Sequence, residues 1–105
     1  PGKINDGGHN LIEDASNSCG LTNGVNGNLV GVDPLLGPLA NNGGPTQTMA
    51  LCTAPGIPAG CHDASPAIDA GDDAVTGPPD NLSTDQRGLP RLSGAHVDIG
   101  AYEVQ

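Results

Sequence analysis

Five aspartates, Asp69, Asp72, Asp73, Asp80 and Asp85, fall around one Gly- and Pro-rich stretch of a 105-residue chain. Oxygen-rich loops of this kind can hold Ca²⁺, with backbone carbonyls completing the shell. Asp69, Asp72, Asp73 and Asp85 are therefore the calcium candidates. Their spacing does not match an EF-hand, because neither Asp72 nor Asp80 is followed by acids or Asn at the alternate positions that loop requires. The competing expectation is a solvated acidic loop, with Asp69 and Asp85 accepting backbone amides at turns. Arg87 and Arg91 lie close to these acids in sequence. A structural ion pair is expected between an arginine and Asp69, Asp98 or Asp85, stapling loop to strand at small net energy.

Nucleophilic chemistry is poorly supplied. Ser65 is followed by Pro66 and lacks the glycines of a nucleophile elbow. Cys61 stands beside His62-Asp63 and can be drawn as a thiol–imidazole pair. However, Cys52 and Cys61 bracket a turn-rich loop containing Pro55, Gly56, Pro58 and Gly60. A Cys52–Cys61 disulfide is expected there, contributing roughly 2–3 kcal/mol by loop-closure entropy and implying an oxidising compartment. It would leave Cys19 unpaired, and two reduced, buried thiols are the alternative. His9, His62, His96 and the cysteines show no zinc-type spacing. No enzymatic role is expected.

Lys and Arg total 3 against 12 acids, for a net charge of −9. Phosphate recognition needs clustered cations, so nucleic acid and anionic lipid are excluded as expected partners. No apolar run approaches membrane-spanning length, and no membrane insertion is expected. The chain opens at Pro1 without Met, as a processed or trimmed piece would.

The elements that must position these residues are short. There is no Phe or Trp and one Tyr, while Gly numbers 17 and Pro 10. The glycines punctuate short apolar runs as turns punctuate strands. Extended runs are expected at His9–Ile12, Leu29–Val32, Thr46–Leu51, Ala67–Asp69 and Val97–Val104, with one helical turn within Glu13–Asn17. Asn23-Gly24 and Asn26-Gly27 mark turns. Asp33–Leu39 is expected to be irregular, because Pro34 and Pro38 remove backbone donors. The fold class is all-β and loop-rich, with little or no α-helix and a thin core that gains by stacking on something else. No exact internal repeat is visible.

Four motifs then occur in order: Asn41-Asn42-Gly43-Gly44-Pro45-Thr46-Gln47-Thr48, Ser65-Pro66-Ala67-Ile68-Asp69-Ala70-Gly71, Thr84-Asp85-Gln86-Arg87-Gly88 and Asp98-Ile99-Gly100-Ala101-Tyr102-Glu103. Together they resemble the C-terminal region of secreted bacterial right-handed parallel β-helix repeat proteins, the adhesin-like choice-of-anchor Q group. Gly8–Ile12 and Asp33–Leu39 resemble the run-in to that region. The chain departs from the group's pattern in its cysteine-flanked loop and in having Val97 where a cysteine often precedes Asp-Ile-Gly-Ala.

The resemblance implies terminal coils and a C-terminal cap of a right-handed parallel β-helix. It implies one module over 1–105: last irregular coils at 1–51, the cysteine-flanked loop at 52–61, and terminal strands and cap at 62–105. The implied role is non-enzymatic and structural, on an extracellular or cell-surface protein. The implied partners are upstream β-helix coils, another copy of the chain, or a glycan or matrix. The alternative is the non-catalytic end of a β-helix polysaccharide lyase or glycoside hydrolase.

Overall fold

The computed structural model describes residues 5–105; Pro1 and Lys3 lie outside the described residues. Two short strands, β1 (Leu11–Ile12) and β2 (Leu29–Val30), pair in parallel with Leu11 opposite Leu29 and Ile12 opposite Val30. Two longer strands, β3 (Leu36–Ala40) and β4 (Thr48–Leu51), form an antiparallel hairpin. Single 3₁₀ turns occupy Ala15–Asn17 and Asp73–Thr76, capped by the Asp14 and Asp72 carboxylates. The rest is loop. This is the loop-rich, strand-containing chain that the composition implies.

The β1–β2 pair arises from a repeated piece of sequence. Gly8-His9-Asn10-Leu11-Ile12 and Asn26-Gly27-Asn28-Leu29-Val30 align in sequence at the register of the strand pair, with Asn10 and Asn28 18 residues apart. The backbone repeats too. Gly8 and Asn26 have φ of 85° and 55°, and His9 and Gly27 have 57° and 72°. Each strand is thus entered through two left-handed residues, a conformation that Gly and Asn tolerate best. The repeat is inexact, with His9 in place of a glycine, and that hides it from a search for identical segments.

Asn28 is fully buried and joins the two levels. Its Oδ1 accepts from the Asn10 amide at 3.0 Å and from Asn10 Nδ2 at 3.1 Å, and its Nδ2 donates to Asp6. Below β2 the edge is closed, because Val30 N–H donates to Asn23 Oδ1 at 2.9 Å.

The hairpin corrects one expectation. Leu36–Ala40 is a strand despite Pro38, because Pro38 sits where the register breaks between Leu36 and Leu39. A proline at a bulge removes no ladder hydrogen bond. Two further expectations fail the other way. Ser65–Gly71 is a pair of tight turns, closed by Ile68 N–H to Ser65 O and Ala70 N–H to Ala67 O. Val97–Val104 forms no strand. Its amides donate mainly to carboxylates, which replaces a ladder. Within Ser65–Gly71 the core residue is Ala67, 2% exposed, and Ile68 is only half-buried. Gly71 allows the close approach: a Cβ there would stand 2.8 Å from Val97 O.

Buried apolar residues are small or few: Leu21, Ala50, Leu51, Cys52, Cys61, Ala67 and Val97. An equally long buried set is polar or charged, including Asp85, Arg91, Asp98 and Glu103. The C-terminal half is therefore organised by a polar centre, which needs full hydrogen bonding to be tolerated.

Candidate functional site

That polar centre is the best-built site in the molecule. Glu103 is fully buried. Its Oε1 accepts from Arg91 Nη2 at 2.7 Å, Arg91 Nε at 3.1 Å and the Asp98 amide at 2.9 Å. Arg91 also donates to the carbonyls of Gly100 and Asp98. Glu103 Oε2 has no partner among the described residues. Burial pushes the Glu103 carboxyl above its ordinary range, against the opposing pull of the Asp98 amide and Arg91.

Asp85 forms the second knot. Its Oδ2 lies 2.8 Å from Arg87 Nη2 and accepts the Glu103 amide, while its Oδ1 accepts the amides of Arg87 and Leu89. Burial works against its charge, yet the Glu103 amide, the Arg87 side chain and the two loop amides outweigh it and hold the carboxyl below its ordinary range. Arg87 in turn donates to Glu103 O and Asn42 O, and its guanidinium lies 3.8 Å from the centre of the Tyr102 ring. Gly44 packs against it so closely that a Cβ would come within 2.6 Å of Arg87 Cα.

The Asp98 carboxylate accepts the amides of Asp69 and Val104, both at 2.7 Å. All four motifs of the sequence therefore meet here: 41–48 through Asn42 and Gly44, 65–71 through Asp69, 84–88 through Asp85 and Arg87, and 98–103 through Asp98 and Glu103.

Of the three acids expected to pair with an arginine, Asp85 does so, with Arg87 two residues away. Asp69 and Asp98 do not pair with Arg87; their carboxylates accept backbone amides. Glu103 was not singled out by the sequence; its motif carried no charge pattern, and only the fold places it against Arg91.

The calcium candidates are not gathered. Asp85 is buried with Arg87, Asp72 caps a 3₁₀ turn, and Asp69 and Asp73 both turn to the backbone around His96. Among the described residues no three acidic, His or Cys side chains come together as a metal-holding group. His96 Nδ1 lies 2.6 Å from Asp73 Oδ2 on the exposed surface. That bond raises the His96 pKa above its ordinary value, and the same bond, aided by the Val97 amide, lowers that of Asp73.

The candidate nucleophiles are occupied. Cys61 is bonded to Cys52, as expected, and Cys19 is free. Ser65 Oγ donates to Pro34 O and accepts the Ala67 amide. His9 Nδ1 bonds Ala70 O at 3.0 Å; a carbonyl only accepts, so Nδ1 carries the proton.

Beside the polar centre runs an apolar cleft of about 520 Å³, lined in part by Leu11, Leu36, Leu39, Met49, Ile99 and Tyr102. Leu36, Leu39 and Met49 are 44%, 57% and 47% exposed. Among the described residues no helix is long and apolar enough to cross a membrane.

No family model matches the chain, and neither a curated protein nor a solved structure matches it.

Proposed function

We propose that the chain is a non-enzymatic structural module that caps the end of an extracellular parallel β-solenoid and presents its closed end to the surroundings. The observation that carries this reading is the difference between the β1–β2 pair and the C-terminal loops. In the first, two strands lie in parallel register one 18-residue turn of chain apart, with Asn28 bridging the levels. This is the local pattern of stacked coils, each burying its face on the next. In the second, irregular loops are fastened together by the Asp85–Arg87 and Arg91–Glu103 pairs. Several backbone amides there bond to carboxylates instead of a strand ladder, and irregular backbone of this kind blunts edge-to-edge association. The Cys52–Cys61 disulfide suits an oxidising, extracellular setting. The motif resemblance to adhesin-like β-helix proteins points the same way.

The test joins this chain behind a β-solenoid fragment truncated at an open coil. Light scattering should find the fusion monomeric at concentrations where the bare fragment assembles. A fusion that assembles as readily as the bare fragment overturns the reading.

A further inference from the structure

The β1 edge is built to receive one particular kind of strand. Asn10 and Ile12 turn their carbonyls toward β2, accepting from Leu29 and Gly31 at 2.8 Å each. Along an extended strand the backbone groups alternate sides, so those of Leu11 face the opposite edge. Among the described residues nothing bonds the Leu11 N–H or C=O, and nothing donates to Asn10 Oδ1. The two outer edges of the sheet thus differ. The outer edge of β2 is closed by Asn23, whereas that of β1 has, among the described residues, an unused backbone pair and an unused side-chain acceptor. Leu11 also lines the apolar cleft.

We infer that the β1 edge is the docking site for a further coil of the same 18-residue pattern: a parallel strand carrying Asn-Leu-Ile or Asn-Leu-Val, entered through two left-handed residues, with its Asn level with Asn10. The inference rests on the solenoid-cap reading and specifies the partner that reading requires. The direction of the existing bonds supplies the argument. Asn10, the earlier residue, gives its amide and its Nδ2 to Asn28 Oδ1. An Asn one level earlier would give the same pair to Asn10 Oδ1, the acceptor still open. Its neighbouring strand would bond the outward groups of Leu11. A second copy of the chain fits less well. A two-fold contact of β1 with its copy runs antiparallel, which does not set Asn upon Asn.

The experiment uses the full chain with residues 8–25 present twice in tandem and Cys19→Ser in both copies. Amide hydrogen exchange is followed at the Leu11 nearer β2, and urea unfolding is followed by circular dichroism. The added coil should slow exchange of that Leu11 amide at least tenfold relative to the Cys19→Ser parent. It should also raise the urea m-value by about a sixth, in line with the added surface buried. Asn10→Ala in the added copy should reduce the protection, and Leu11→Asp there should abolish it. An unchanged Leu11 rate, an unchanged m-value or a chain that no longer folds overturns the inference, because a docked coil cannot unfold its acceptor. Concentration-dependent protection of Leu11 in the parent would name a second copy as the occupant and also overturn it. The outcomes separate the two readings. If the solenoid fusion is capped while the tandem chain gains nothing, the cap stands and docks through the cleft without this register. If the tandem chain gains protection while the fusion assembles, the edge accepts a coil and the cap reading fails.

Discussion

Removing the Glu103 side chain tests how much the fold depends on its buried carboxylates. Glu103→Ala deletes the acceptor for two Arg91 nitrogens and for the Asp98 amide. Arg91, 7% exposed in the intact chain, keeps only the carbonyls of Gly100 and Asp98 as partners. Removing one member of a buried pair costs about 3–5 kcal/mol, chiefly from the uncompensated charge that remains. Domains of this size have total stabilities of about 5–15 kcal/mol, so the variant should lose a large share of its stability. Glu103→Gln keeps an oxygen for Arg91 and loses the charge; by the difference between charged and neutral hydrogen bonds it should cost about 1–2 kcal/mol. Glu103→Leu combined with Arg91→Met removes both charges together and should be more stable than either single change. Urea unfolding with linear extrapolation measures the parent, the three single Glu103 changes, Arg91→Met and the double variant. A Glu103→Ala loss within about 0.5 kcal/mol, the range of ordinary surface changes, refutes the reasoning. So does a double variant less stable than both singles.

Three other expectations follow from the same geometry. The His96 pKa is raised by Asp73, so the pair's contribution is complete below the ordinary His value near 6.5 and fades as pH rises through the folded-state value; an NMR titration should show Asp73→Asn returning His96 toward that ordinary value, and an unshifted titration would contradict the bond. Reducing the Cys52–Cys61 bridge, which spans 9 residues, should cost roughly 2–3 kcal/mol in urea unfolding, and a thiol assay of the denatured, unreduced chain should find Cys19 alone. Gly44 has φ of 78° and meets Arg87, while Gly43 has φ of 99° with open space beside it; Gly44→Ala should therefore cost clearly more than the roughly 1 kcal/mol expected of Gly43→Ala, and equal losses would mean that Arg87 is not held where the structure puts it.

Local features were legible from sequence because local chemistry decides them. Asp14 followed by Ala15–Asn17 makes a capped turn, Asn-Gly pairs make turns, and two cysteines around a Pro/Gly loop make a disulfide. Leu11–Ile12 and Leu29–Val30 are apolar runs between turn residues, Thr46–Leu51 alternates polar and apolar as far as Met49, and strands form within all three. What was not legible depends on distant partners. Pro38 lies in a strand because the register of β3 on β4 breaks there. Ala67–Asp69 and Val97–Val104 read as strands by composition, but the Asp98 carboxylate takes the Asp69 and Val104 amides, and their backbones follow those bonds. The charge centre was half visible. Arg87, Arg91, Asp85 and Asp98 were all singled out, but the partner of Arg91 is Glu103, an isolated acid near the chain's end that only the fold brings into the core. The repeat at Asn10 and Asn28 was in plain sight, and aligning Asn-Leu-Ile on Asn-Leu-Val would have found it.

Native-state hydrogen exchange tests most directly the proposal that buried carboxylates fasten the C-terminal loops while the β1 edge stays open to a further strand. The amides of Asp98, Glu103 and Val104, which donate to Glu103, Asp85 and Asp98, should be among the slowest, protected on the order of 10³-fold or more as global unfolding requires. The Leu11 amide should exchange near the rate of an exposed strand edge. Fast exchange at Asp98, Glu103 and Val104, or protection of Leu11 matching theirs, would contradict the account.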